Sequence, residues 1–141
     1  MPIEVYVFFN GNCREAVEFY AEVFGTEKPK IMTYGEMPNP DPGLSEEAGS
    51  RVLHTLMNIS GSSVMFSDFP PGMPYTAGNN FSLVIVSPDV EEIKTLFNRL
   101  KEGGSVSMEL QETFWSKCYG MLTDRFGIGW QFSHYLGGTG E

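Results

Sequence analysis

Two stretches of the chain carry apolar residues at intervals of three and four positions, which predicts two amphipathic helices. The first helix follows Asn12 and ends at Gly25, and the second follows Asp89 and ends at Gly103-Gly104. Each start places a side-chain acceptor three residues before a glutamate, which predicts a capping box at Asn12 and at Asp89. Each end places glycine where a helix commonly stops, because glycine adopts the left-handed conformation without strain.

Short apolar runs rich in β-branched and aromatic residues surround the two helices and predict strands. One run precedes each helix and three follow it, so each half of the chain has the order β-α-β-β-β. The predicted strands are Ile3–Phe9, Glu27–Tyr34, Arg51–Ile59, Ser63–Phe69, Phe81–Val86, Ser105–Leu110, Lys117–Thr123 and Ile128–Tyr135. The pattern predicts an α+β fold of two tandem βαβββ modules, at about 1–70 and 78–136.

The two halves can be superposed by counting residues. Asn12 and Asp89 are 77 positions apart, and Gly25 and Gly103 are 78 apart. Later, GSSVMFSDF (61–69) matches GIGWQFSHY (127–135) at an offset of 66. Because one such module cannot bury its own sheet face, we expect a single domain over 1–141, with a curved mixed sheet around a cavity. We expect a small molecule to bind in the trough between the modules.

An insertion in the first half, Gly35–Gly49, accounts for the smaller offset. The segment is polar and contains Pro38, Pro40 and Pro42. Long insertions in compact domains are either binding loops and lids or disordered segments, and the sequence leaves both possibilities open.

The net charge of −9 excludes some classes of partner. A phosphate backbone would be repelled, so we expect no nucleic-acid binding. An anionic substrate would need a local basic group, for which Arg14, Arg51, Lys117 and Arg125 are candidates. The 11 Phe, 6 Tyr and 2 Trp suit either a well-packed sheet or an aromatic-lined pocket.

The two cysteines, Cys13 and Cys118, are far apart and belong to no zinc-type spacing. We therefore expect free thiols in a reducing cytosol. The opening MPIEVYVFF lacks a basic region and soon becomes polar, so it predicts neither a signal peptide nor a membrane span. The expected location is cytoplasmic.

Four segments carry a resemblance to a known family: FNGNCREAVEFY (9–20), YGEMP (34–38), SVMFSD (63–68) and QETFWSKCYGMLTDRFGIGW (111–130). With the paired modules, they resemble the PhnB-like branch of the vicinal oxygen chelate superfamily, which includes glyoxalase I, extradiol dioxygenases and bleomycin-resistance proteins. The branch also bears a 3-demethylubiquinone methyltransferase-like name. No glycine-rich strand-turn-helix for S-adenosylmethionine occurs in the sequence, so that activity is not carried over. The resemblance implies the glyoxalase fold, a small-molecule ligand and a homodimer.

Metal-dependent members of the superfamily hold a divalent ion with His, Gln or Glu from the first and last strands of each module. The resemblance places these positions at Val5, Met65, Ser82 and Gln131. Valine offers no donor atom, a thioether suits copper(I), serine is a weak ligand, and only Gln131 fits a hard divalent ion. The resemblance therefore implies a member without the superfamily's metal site and without a cofactor.

The resemblance also implies a pocket on the inward face of the sheet. Its expected lining residues are Val5, Val7, Met65, Ser67, Ser82, Val84 and Gln131. Trp115 and Tyr119 are expected at the mouth, where exposed aromatic side chains form ligand walls, although core packing explains them equally well.

His54 is the candidate catalytic base, because imidazole titrates near neutrality, and the alternative is a structural strand histidine. Asp68 points away from Met65 by alternation and is expected to cap the turn after its strand. His134, in the matching position of the second module, is expected at the surface. Asp124–Gly127 is expected to form a tight turn, and Trp130 to pack under the helices.

Two functions follow from the sequence and the resemblance. The first is a small-molecule-binding protein of the glyoxalase and bleomycin-resistance superfamily without its divalent metal. The alternative is a metal-dependent enzyme of glyoxalase type, an isomerase, lyase or transferase. In it, His54 would act as base and a divalent metal ion as electrophile on a small oxyanion or carbonyl compound.

Overall fold

The computed structural model describes residues 2–38 and 41–135. The chain falls into two compact units, Met1–Thr76 and Ala77–Glu141. Each unit contains one four-stranded mixed sheet with one long helix packed on it. The predicted α+β class and the two similar modules are confirmed.

The first unit has the strand order β1-β4-β3-β2. β1 runs parallel to β4, and β3 is antiparallel to both of its neighbours. Its elements are β1 (Val5–Phe9), α1 (Cys13–Phe24), β2 (Met32–Thr33), a 3₁₀ helix (Tyr34–Glu36), α2 (Glu46–Ser50), β3 (Val52–Ile59) and β4 (Ser62–Asp68).

The second unit repeats this topology with the strand order β5-β8-β7-β6. β5 is parallel to β8, and β7 is antiparallel to β6 and β8. Its elements are β5 (Leu83–Ser87), α3 (Val90–Leu100), β6 (Ser105–Gln111), β7 (Tyr119–Thr123) and β8 (Gly129–His134).

The core of each unit lies between its long helix and one face of its sheet. In the first unit, Tyr20 of α1 contacts Phe66 of β4 with ring centroids 5.6 Å apart. In the second, Phe97 of α3 meets Phe132 of β8 edge to face at 5.5 Å. Each buried aromatic side chain of this size contributes about 1.5–3 kcal/mol by leaving water. Trp130 is buried on the same face as Phe132, as predicted.

The two long helices are capped differently. Asp89 caps α3, because its side chain accepts hydrogen bonds from the backbone N–H groups of Glu91 and Glu92, but the predicted capping box is incomplete because the Glu92 carboxylate accepts from the Ser87 hydroxyl. The capping box predicted at Asn12 is wrong: the Asn12 side chain makes no capping hydrogen bond to any described residue. The orphan N–H groups at this helix start are instead satisfied from a distant strand.

Asp68, the last residue of β4, supplies that cap. Its Oδ1 accepts from the backbone N–H groups of Gly11 (2.8 Å) and Cys13 (3.0 Å), and its Oδ2 accepts from Val52 (2.9 Å). The prediction that Asp68 caps the following turn is therefore wrong. The buried carboxylate joins β4, the start of α1 and the start of β3. His134, in the matching position, is buried rather than exposed, with 5% of its surface accessible.

The segment after α1 differs most from the prediction. Only Met32–Thr33 of the predicted strand Glu27–Tyr34 pairs with β3. The strand stops because the Glu36 carboxylate accepts hydrogen bonds from both the backbone and the hydroxyl of Thr33, which begins a 3₁₀ helix. Within the described part of the insertion, α2 packs on that helix. Residues 39–40, including Pro40, lie outside the described residues.

Each sheet has two distinct faces because successive strand residues point in opposite directions. The face that packs on the long helix is called the helix side, and the opposite one the open face. In β8, Trp130, Phe132 and His134 are buried on the helix side, whereas Gln131 and Ser133 are half-buried on the open face.

Candidate functional site

The open face of the second unit combines apolar and polar side chains. Alternation along the chain places Ser82, Val84 and Val86 on this face, while Ile85 and Ser87 are buried on the helix side. From the neighbouring strands the open face receives Gln131, Ser133, Tyr119 and Met121. Predicted ligand-binding residues from three strands therefore share one surface.

A chain of hydrogen bonds connects three of these side chains. The Tyr119 hydroxyl donates to Oε1 of Gln131, and Nε2 of Gln131 donates to Oγ of Ser82 at 2.7 Å. Both ends of the Gln131 amide are thus engaged, which holds the amide group in place between the two hydroxyl groups. These three hydrogen-bonded side chains form the Tyr119–Gln131–Ser82 relay. A polar group held in place on a half-buried surface can recognise a ligand with little ordering cost.

An exposed aromatic pair adjoins the relay. Trp115 meets Tyr119 with ring centroids 5.3 Å apart and planes at 69°, and it meets Phe114 at 4.7 Å and 83°. Trp115 is 54% exposed and Phe114 is 97% exposed. Trp115 is therefore a surface aromatic residue beside a polar relay and does not belong to the core.

The open face of the first unit is aromatic. The register pairs Tyr6 with Met65 and Phe8 with Ser67, and His54 lies on the same face of β3 by alternation from Leu56. Tyr6 and Phe8 are stacked with ring centroids 4.8 Å apart.

Among the described residues, the side chain that hydrogen-bonds to His54 is the Tyr6 phenol. The Nδ1 of His54 lies 2.9 Å from the Tyr6 hydroxyl, and the two ring centroids are 5.7 Å apart. The tyrosine fixes the ring orientation and leaves Nε2 for another partner. A histidine oriented in this way can move a proton to or from a bound molecule.

The position assigned to Val5 needs correction. Val5 pairs with Val64, a buried residue on the helix side, so it does not share a face with Met65. Tyr6 lies beside Met65 instead, and Val7 pairs with the buried Phe66 and is likewise displaced from the open face. The prediction places Val5 seven residues before the helix cap at Asn12, the same spacing that separates Ser82 from Asp89, but the caps are 77 residues apart whereas the strands follow an offset of 78. Sequence reasoning therefore missed Tyr6 and Phe8, which the 78-residue offset between the helix stops would have found.

The residues at the superfamily's ligand positions do not fit a hard divalent ion. In the first unit the 78-residue offset matches Ser82 with Glu4, so the two positions hold the Glu4 carboxylate and the Met65 thioether. In the second unit the neutral oxygens of Ser82 and Gln131 already accept hydrogen bonds within the relay. Hard cations select carboxylates, carbonyls and water, and thioethers do not serve them. Across residues 2–38 and 41–135, no group of three or more His, Cys, Asp or Glu side chains could hold a metal.

The cysteines are not nucleophiles. Cys13 and Cys118 are both buried. Burial and the nearby Asp68 carboxylate raise the pKa of the Cys13 thiol far above its ordinary value. Burial also raises the pKa of Cys118. Both side chains stay protonated near neutral pH, where a thiol is a poor nucleophile.

Comparison with known proteins settles the family. Residues 2–133 match the family model described as 3-demethylubiquinone-9 3-methyltransferase. The chain belongs to this family. A curated member of similar length is Protein YjdN of Escherichia coli strain K12. It is 36% identical over 141 residues, and the match covers 94% of this chain and 95% of YjdN.

Solved structures agree with this assignment and confirm the predicted PhnB-like resemblance. Protein PA1353 from Pseudomonas aeruginosa is 32% identical with a TM-score of 0.80, over 94% of this chain and 98% of PA1353. A Bacillus cereus PhnB protein, titled a putative 3-demethylubiquinone-9 3-methyltransferase, is 26% identical with a TM-score of 0.73, over 96% of this chain and 100% of that protein.

A more distant structure supports the superfamily fold alone. It is the glyoxylase/bleomycin resistance protein/dioxygenase domain from Frankia sp. EAN1pec, 13% identical with a TM-score of 0.63, over 99% of this chain and 94% of that domain. The PhnB-like family thus shares the glyoxalase-type fold. Within residues 2–38 and 41–135, no helix has the length and apolar character needed to cross a membrane.

Proposed function

We propose that this PhnB-like protein binds a small organic molecule on the open face of its second unit, without the divalent metal of the superfamily. One observation carries the proposal: Gln131 is clamped between Tyr119 and Ser82 beside the exposed ring of Trp115. Binding sites for small molecules combine aromatic walls with a few fixed polar groups, and this surface has both.

The donor chemistry supports the metal-free part of the proposal. A metal bound through Gln131 would compete with the Tyr119 hydroxyl for Oε1. The remaining candidates at the superfamily's ligand positions are Ser82, Met65 and Glu4, of which only Glu4 is a charged oxygen ligand. The methyltransferase activity in the family's description is not proposed here, because the described residues contain no glycine-rich strand-turn-helix for S-adenosylmethionine.

Native mass spectrometry of freshly purified, tag-free protein tests the proposal. We expect no stoichiometric divalent metal. Dialysis against EDTA should not change the binding of a small molecule that co-purifies with the protein. A near-stoichiometric divalent metal, lost to EDTA together with ligand binding, would contradict the proposal.

Trp115 supplies a matched pair of variants for the site itself. Trp115→Ala removes the half-exposed indole beside Tyr119, whereas Met73→Ala removes a similarly exposed apolar side chain of the first unit. We expect the first variant to weaken binding of a co-purified ligand, and the second to leave it within about twofold, as for a surface change away from the site. Equal effects of the two variants would place the ligand elsewhere.

A second function is favoured by the Tyr6–His54 pair on the open face of the first unit. There we propose, as the alternative, an enzyme of glyoxalase type in which His54 is the acid–base group. If this alternative holds, His54→Gln abolishes a measured turnover while ligand binding persists, and Tyr6→Phe shifts the pH profile of that turnover. An His54→Gln variant with unchanged turnover would exclude this role for His54.

A further inference from the structure

We infer that the ligand of the second unit is an uncharged, flat aromatic molecule that carries one hydrogen-bond donor and one acceptor on the same edge, such as an aromatic carboxamide or lactam. The inference rests on the proposed function, since it names the chemistry that the open face of the second unit selects.

The relay presents one acceptor and one donor. The Tyr119 hydroxyl donates its hydrogen bond to Gln131, so its phenolic oxygen can still accept a hydrogen bond from a ligand donor. Ser82 accepts from Gln131, so its own proton is free for a ligand acceptor, and the described residues offer it no partner. Rotation of the Gln131 amide would exchange the two ends, and the relay would still offer one donor and one acceptor.

A carboxylate or phosphate is a poor match for this arrangement. Such an anion needs donors at every contact, but one end of the relay offers only lone pairs. The net charge of −9 also disfavours an approaching anion. Lys117, two residues before Tyr119, is the nearest cation in the sequence, and it is exposed. It therefore defines the competing outcome, an anionic ligand held by Lys117.

The aromatic part of the ligand is selected by Trp115. In the part of the chain that the structure describes, its ring neighbours are Phe114 and Tyr119, which stand at 83° and 69° to the indole, so neither of them stacks on it. The indole is 54% exposed. A flat ring can therefore stack on the free indole surface, an arrangement that aromatic pairs prefer.

Three probes with one ring system separate the contributions of shape, charge and hydrogen bonding. These are 2-naphthamide, 2-naphthoate and 2-methylnaphthalene, with binding measured by ligand-observed saturation-transfer NMR. We expect 2-naphthamide to bind at least about fivefold more tightly than the other two, the factor of one net hydrogen bond. Ser82→Ala and Tyr119→Phe should each weaken 2-naphthamide by about fivefold and leave 2-methylnaphthalene unchanged.

Ser63→Ala is the matched control, because Ser63 is an exposed serine of β4 in the first unit and lies outside the proposed binding surface. It should change none of the three affinities. Preferred binding of 2-naphthoate that is lost in Lys117→Gln would overturn the inference and leave the proposed function standing. Binding of all three probes that is insensitive to Trp115→Ala would contradict the site of the proposed function itself.

Discussion

The indole Nε1 of Trp130 donates a 2.9 Å hydrogen bond to Oδ2 of Asp124. The other carboxylate oxygen accepts from the backbone N–H groups of Phe126 (2.8 Å) and Ile128 (3.0 Å). Asp124 thus stabilises the predicted tight turn and is also the buried hydrogen-bond partner of Trp130. It fixes β8, the strand that carries Gln131.

Asp124→Asn isolates the hydrogen bond to the indole. The asparagine oxygen can still serve the turn, but its NH₂ group would face the Trp130 N–H, so two donors would oppose each other. We expect the free energy of unfolding to fall by about 1–3 kcal/mol, measured by urea denaturation. Asp41→Asn is the control, because Asp41 is exposed and its carboxylate accepts only from the N–H of Gly43 among the described residues, so it should cost under about 0.5 kcal/mol. Equal losses in both variants would contradict the role of Trp130.

Asp68 and Asp89 cap equivalent helices, but Asp68 should matter more to stability. Asp68 is buried and serves three backbone N–H groups in two elements. Asp89 is exposed and serves two within its own helix. We expect Asp89→Ala to cost about 1 kcal/mol and Asp68→Ala about 3 kcal/mol or more in the free energy of unfolding. A smaller loss for Asp68→Ala would show that water replaces the carboxylate.

The two thiols should be unreactive in the folded protein. Because Cys13 and Cys118 are buried and protonated, iodoacetamide at pH 8 should label neither in native protein and both after unfolding. Rapid labelling of either thiol in native protein would contradict this placement.

The raised pKa of Cys13 also predicts a change of stability at alkaline pH. Above the ordinary thiol value of 9.0, the unfolded chain loses the Cys13 proton while the folded chain keeps it, so the free energy of unfolding falls as pH rises. Below that value the contribution is constant. Denaturation of the wild type and of Cys13→Ala between pH 8 and about 10 should show a shallower slope for the variant. Identical slopes would contradict the prediction.

We predict a homodimer because both open faces expose apolar side chains. Tyr6 and Phe8 are 38% and 43% exposed, and Val84 and Val86 are 48% and 47% exposed. Contiguous apolar surface of this kind marks interaction sites.

Native mass spectrometry should give twice the 15.7 kDa of one chain. Val84→Lys should shift the mass toward one chain, whereas Met73→Lys, an exposed residue outside the sheet, should not. A wild-type monomer would contradict the prediction.

The sequence by itself determined the two long helices, most strands and the internal repeat. Apolar spacing is a local property, so the stripe in α3, the cap at Asp89 and the stop at Gly25 could be found without distant contacts. The family resemblance placed Ser82 and Gln131 on the open face of the second unit, and alternation in β8 separates Gln131 from Trp130 within one strand.

Tertiary structure decided which residues meet. Asp68 caps a helix that begins 55 residues earlier, and Gln131 joins Ser82 across 49 residues. Local propensity contains no information about such pairs. The register of β1 was also decided by pairing with β4, which places Tyr6 and not Val5 beside Met65. A shift of one residue moves every side chain of a strand to the other face, so an offset wrong by one was enough to misplace that part of the site.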